Sequence, residues 1–181
     1  MTAAPRRWAA DLLYFWFHEL GPDDWFGGSA EVDAASHRFL HDLAMLGCRP
    51  AHEFLGDPLT ARAAILLFDQ IPRNVFRKSA RAFAYDALAR RIAKGVIARG
   101  WIEGLSRDER AFIGMPLMHS EAIADQRASL AFFRGSPENF AFARAHWRMI
   151  ARFGRFPHRN ALLGRRSSPA EQAAIAAGNA W

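Results

Sequence analysis

The stretch LTARAAILLFDQ, Leu59 to Gln70, constrains the fold of this chain more than any other. Asp57 followed by Pro58 is a helix start, the acid as N-cap and the proline in the first turn, and Pro72 is a stop. Between them Ile65-Leu66-Leu67-Phe68 is apolar on every side, so this helix belongs in the centre with the rest of the chain packed around it. Elsewhere apolar residues recur at three and four rather than at two, and no segment reads as a strand. The spacing predicts an all-α protein.

Start and stop signals divide the remainder. Pro5 to Leu20 reads as the first helix, closed by Gly21-Pro22, and Ser29 caps a second that carries Val32, Phe39, Leu43 and Leu46 inward. Ser79 and Asp86 open a turn and then a helix to Arg99, with Gly100 as its end. Ser106 and Glu109 make a capping box, each side chain satisfying the other end's amide. Helices are expected from Pro116 to Arg134 and from Ser136-Pro137 to Phe153, with Gly154 behind, and Ser168 and Glu171 open a last one that Gly178 ends. About eight helices joined by short turns imply stacked antiparallel hairpins. No linker or low-complexity segment divides residues 1–181, so a single domain is expected.

Charge matters only where it clusters. The net charge is +6, but all basic residues except Lys78 and Lys94 are arginine in an alanine-rich chain, so much of the excess is compositional. Cys48 is alone and forms no internal disulfide, and the apolar run from Trp8 to Phe17 is too short for a bilayer, so a reduced, cytoplasmic setting is expected. HExxH, CxxC, P-loop, GxGxxG and nucleophile-elbow motifs are absent, and no cofactor is expected. Asp33, His37 and His41 share a helical face at ligand spacing, but no further ligand stands near, so no metal is expected either.

The densest cluster is RFGRFPHRNALLGRRSS, Arg152 to Ser168, in which arginines, His158 and Asn160 surround Pro157. Guanidinium forks match carboxylate or phosphate oxygens two at a time, so Arg155, Arg159 and Asn160 are candidate anion ligands and His158 a candidate proton carrier. Asp69 and Gln70 end the central helix, where the dipole disfavours a carboxylate, so Asp69 should pair with Arg73 one turn on, beside Asn74. That pair either anchors the turn or aims Arg73 at a ligand. His119, Ser120 and Glu121 are read as a helix start, with His119, Ile123, Gln126 and Leu130 on one face, Glu121 being a base or orienter if it is not merely a cap. His146 falls in the apolar stripe Phe142, His146, Met149, Phe153, where a core role is the commoner one.

FWFHELGPDDWF, LLFDQIPRNVFR, AFAYD, PLMHSE and RFGRFPHRNALLGR, in this order, resemble the bacterial family labelled domain of unknown function 924, from about Leu13 to Glu171. The resemblance implies an all-helical, tetratricopeptide-like superhelix and brings no reaction with it. It implies that the polar motif residues meet: Asp69, Gln70, Arg73, Asn74, His119, Ser120, Glu121, Gln126, His146, Arg155, His158, Arg159 and Asn160. Two functions fit. In one, these residues hold a small carboxylate or phosphate for hydrolysis or a related acid-base step, with His119 or His158 oriented by Glu121 or Asp69. In the other, the arginines of a helical scaffold clamp an acidic peptide or protein. Nucleic acid is not expected, since the aromatic residues are assigned to helix cores.

Overall fold

The computed structural model describes residues 7–178, and among them every regular element is helical. In chain order these are α1 (Arg7–Tyr14), α2 (Pro22–Gly27), α3 (Ala30–Ser36), α4 (Leu40–Leu46), α5 (Pro58–Asp69), α6 (Ile71–Val75), α7 (Asp86–Ala98), α8 (Arg107–Met118), α9 (Ile123–Phe133), α10 (Pro137–Phe153) and α11 (Pro169–Ala176). The expected start of the first helix at Pro5 lies outside the described residues.

The central element is the one the sequence singled out. Asp57 accepts a hydrogen bond from the Thr60 amide at 3.0 Å and starts α5, which packs against α7, α1 and α8. Ile65, Leu66, Leu67 and Phe68 are all buried. Each contributes about 1.5–3 kcal/mol by leaving water, which adds to the high helix propensity of the segment's alanines and leucines. Helices α7, α8, α9 and α10 each pack on the next, and the short connection at residues 134–136 makes α9 and α10 antiparallel. The capping boxes at Ser106 and Ser168 both form.

Several boundaries differ from the sequence reading. Gly21-Pro22 does not only close the first helix, because Pro22 occupies the first turn of the short α2. The helix capped by Ser29 is broken by a 3-10 turn at His37–Phe39. The central helix does end ahead of Pro72, at Asp69, but Pro72 also sits in the first turn of a further short helix, α6, where its missing amide hydrogen costs nothing. Pro116 does not begin a helix but lies in the last turn of α8, which ends at Met118. The expected helix from Pro116 to Arg134 is therefore α8's end, a turn, and α9.

Gly114 shows how tightly α8 and α9 meet. A Cβ there would stand 2.6 Å from Cδ1 of Phe132 and would also strike the buried Phe133 ring. Gly114→Ala gains up to about 1 kcal/mol of helix propensity, but overpacking costs about 1–3 kcal/mol or more. A net loss of about 1–2 kcal/mol is expected, read from the urea midpoint, and an unchanged midpoint would show that the rings step aside.

Candidate functional site

Asp69 is fully buried in the last turn of α5, at the negative end of the helix, and it is held there by positive or protic partners. Gln70 Nε2 donates to Oδ2, His119 Nδ1 donates to Oδ1 at 2.8 Å, and Arg73 Nη1 lies 3.3 Å from Oδ1. Burial pushes the Asp69 carboxyl up, but the charge of Arg73 and the hydrogen bonds from His119 and Gln70 outweigh it and hold it at about 2. An ionised carboxylate only accepts, so the His119 proton is on Nδ1 and its lone pair is on Nε2. Burial, with the charge of Arg73, lowers the His119 pKa by more than Asp69 and Asp86 raise it, which keeps the ring neutral near pH 7.

From Arg73 the network continues to Asp86, the first residue of α7. Arg73 grips Asp86 with both Nη atoms, at 2.8 and 3.0 Å, and Arg159 Nη1 reaches the same carboxylate at 3.4 Å. Arg159 is buried against two rings, its guanidinium carbon 4.5 Å from the centroids of both Phe83 and Phe156. Burial, reinforced by Arg73, pushes its pKa down to about 10, so it stays charged. His146 closes the cluster with its ring centroid 6.3 Å from His119 and 5.5 Å from Phe156, and Nδ1 donates to the Phe142 carbonyl at 2.9 Å. Burial takes the His146 pKa to about 3; His158, under burial and the charge of Arg159, falls to about 4. Side chains of Arg73, Asp86 and His119 retain 19%, 17% and 15% of their exposure, so water reaches the rim.

A second network fastens the segment that carries Arg159. Arg155 holds Glu171 of α11 at 2.7 and 3.0 Å, and Asn160 Nδ2 donates to Ser167 at 3.0 Å and to Glu171 at 3.4 Å. Glu121 receives both Nη groups of Arg165, at 2.8 and 2.9 Å, and the Phe156 amide at 2.8 Å. Burial raises the Glu121 pKa, and the bond from Arg165 leads the effects that bring it below its ordinary value. These residues set the place of Phe156 and Arg159.

The structure thus gathers Asp69, Gln70, Arg73, His119, His146 and Arg159 around one spot, with His158 and Glu121 on its border. Arg155 and Asn160 belong to the fastening network. Asn74 lies apart, bonded to Ser36 at 3.2 Å and Arg77 at 3.3 Å. Ser120 donates to Asp125 at 2.7 Å and accepts from Arg90 at 3.0 Å, and Gln126 Nε2 bonds the Met118 and Ser120 carbonyls. His119 caps the C-terminus of α8 and Ser120 and Glu121 form the following turn, so none of the three begins a helix and His119 shares no helical face with Gln126. Asp33, of the trio weighed for metal, is gripped by Arg77.

Sequence reasoning missed Asp86, Phe83, Arg165 and Glu171. Asp86 was read as a helix start, although its place in the AFAYD motif was a signal. A hollow of about 730 Å³ opens elsewhere, between the start of α8 and the α9–α10 turn, lined by Arg107, Arg110 and Phe132.

The family model described as bacterial protein of unknown function (DUF924) matches residues 12–179. No curated protein matches the chain. The solved structure of a protein of unknown function from Agrobacterium tumefaciens is similar to it, with 36% identity and a TM-score of 0.87 over 92% of this chain and 96% of that one.

Proposed function

Since the chain belongs to that bacterial family of unknown function, whose description supplies no reaction, we propose from the cluster itself that it binds a small anionic molecule and moves a proton on it. The observation that carries this is the buried pair of Asp69 and His119, 2.8 Å apart, beside two arginines that share Asp86. Asp69 fixes the tautomer of His119, and Nε2 serves as general base or, once protonated, as general acid. Arg73 and Arg159 supply the positive charge that draws an anion, and the apolar faces of Phe83 and Phe156 keep that charge poorly hydrated and therefore effective. Hydrolysis, with water activated by His119, or proton abstraction beside a carboxylate fits this set of groups.

A thermal-shift screen with carboxylate and phosphate metabolites tests the reading, followed by mass spectrometry of each ligand after incubation. Wild-type protein should be stabilised by a ligand and should consume it, because what binds only the native state raises its melting point. His119→Ala should still be stabilised by the ligand but consume it about 10²–10⁴-fold more slowly, the range of general acid-base catalysis. Equal consumption by both proteins would end the acid-base assignment.

One observation favours the scaffold reading. Arg144, Arg148 and Arg152 are exposed at four-residue spacing along α10, and no carboxylate pairs with them among the described residues. A tetratricopeptide-like surface of this kind would bind an acidic peptide through the stripe and leave the buried cluster a structural role. Binding of a poly-glutamate peptide that Arg148→Glu abolishes and His119→Ala leaves intact would favour it.

A further inference from the structure

Among the described residues Arg159 is the buried arginine, and it differs from the more exposed paired arginines in what its guanidinium lacks. Arg77 and Arg155 each turn their Nε–Nη2 edge to a carboxylate, Asp33 and Glu171 respectively. Arg165 places both Nη groups on Glu121, and Arg62 holds Glu109. Arg159 is only 7% exposed, yet among the described residues its sole bond to a carboxylate is the long one from Nη1 to Asp86, whose two oxygens already serve Arg73 at 2.8 and 3.0 Å. Its Nε is buried with no partner, as are those of Arg62 and Arg165, but each of those two has a carboxylate of its own, whereas the Nε–Nη2 edge of Arg159 has no acceptor among the described residues and its Nη1 has only a share of Asp86. Phe83 and Phe156 stand against the guanidinium, 4.5 Å from its carbon to each ring centroid, and these apolar rings give it no oxygen to bond. A charged donor kept from water and from any acceptor is unfavourable unless something else fills the place.

We propose that this edge is the anchor of the ligand site, and that it takes the carboxylate of a small monocarboxylate bearing a hydroxyl group. The inference rests on the reading of the cluster as a ligand site and adds the identity of the ligand's two ends. Three features select this class. A planar carboxylate meets the Nε–Nη2 edge with two parallel bonds, as Asp33 and Glu171 do elsewhere in the chain. Two arginines and two aspartates already balance at the centre, so a carboxylate adds one uncompensated charge where a phosphate dianion would add two, and the burial cost rises with the second. Finally, His119 offers a lone pair on Nε2 to a hydroxyl proton, which a plain carboxylate does not supply.

The test follows the Nε–H resonance of Arg159 in protein labelled with nitrogen-15, identified by its loss in Arg159→Lys. Glycolate, acetate and inorganic phosphate are titrated in turn at constant pH and ionic strength. Glycolate should move the resonance saturably and bind about tenfold more tightly than acetate, the worth of one further hydrogen bond. Phosphate should move it only without saturation, and the Nε–H signals of Arg77 and Arg155 should not respond. Saturable binding of phosphate as tight as that of glycolate would overturn the carboxylate assignment, and a resonance that no carboxylate moves would overturn the anchor. Either result leaves the His119-dependent turnover of the preceding proposal to be judged separately, by consumption rather than by the Arg159 signal.

Discussion

Asp69→Ala is expected to lower folding stability by about 3–5 kcal/mol, the range for taking one partner from a buried ionic network. The carboxylate is fully buried and accepts from Gln70 and His119 while it neutralises Arg73. Alanine leaves the Gln70 amide and the His119 Nδ1–H without their acceptor, and it leaves Arg73 with Asp86 alone. Solvation of the arginine rim recovers only a part, since Arg73 keeps no more than 19% of its side-chain exposure. Urea denaturation of wild type and variant at pH 7 measures the difference, and an unchanged slope with a lower midpoint assigns it to stability. A loss under about 1 kcal/mol, the usual worth of an exposed pair, would mean that the Asp69 network is not desolvated. Glu171→Ala gives a contrast within the same protein: Glu171 is also buried and accepts from Asn160 and the Ser168 amide, but Arg155, a third exposed at its side chain, regains water, so the effect should stay below that of Asp69→Ala.

The two halves of this network were unequally legible in the sequence, for physical reasons. Asp69 and Arg73 are one helical turn apart, so their pairing follows from local geometry and from the helix dipole. Asp86 meets Arg73 across 13 residues and Arg159 across 73, and no local pattern records either contact. As a first-turn acid it looked sufficiently explained by the start of α7. His119 was placed at a helix start because Pro116 is a usual opener, but a proline in the final turn of a buried helix is also tolerated when the neighbouring packing compensates. That misplacement hid the reason His119 can reach Asp69, which is that α8 ends beside the end of α5. Within Arg152 to Ser168 the arginines are alike as letters, and only the partner distinguishes them: Glu171 takes Arg155, Glu121 takes Arg165, and Arg159 is left with a share of Asp86. The capping boxes and the central helix were readable because their determinants lie within a few residues of one another.

Acidification should weaken this protein well before its carboxylates titrate, and His146 is the main reason. Its native pKa is about 3 because burial disfavours the imidazolium, with the charge of the nearby Arg159 adding repulsion. An unfolded histidine titrates near 6.5, so below that pH the unfolded chain binds a proton that the native ring refuses. The depressed native value therefore supplies stability that is complete above about pH 6.5 and is lost as the pH falls toward 3. The slope is about 1.4 kcal/mol per pH unit for one such ring, or roughly 3 kcal/mol by pH 4. His158, with a native pKa of about 4, and His119, also lowered, act in the same direction. The lowered carboxylates, Asp69 and Glu121 among them, support the native state above an unfolded pKa near 4 and lose that support only below it. The two windows are thus separate, and a decline between pH 6.5 and 4.5 belongs to histidine. His146→Gln removes one titrating ring, so although it also loses stability at pH 7, its plot of unfolding free energy against pH should be flatter than wild type by about 1.4 kcal/mol per unit in that window. Parallel plots for the two proteins would show that the His146 ring is protonated in the native state as readily as in the unfolded one, and would remove it from the buried, neutral cluster beside Asp69 and Arg159.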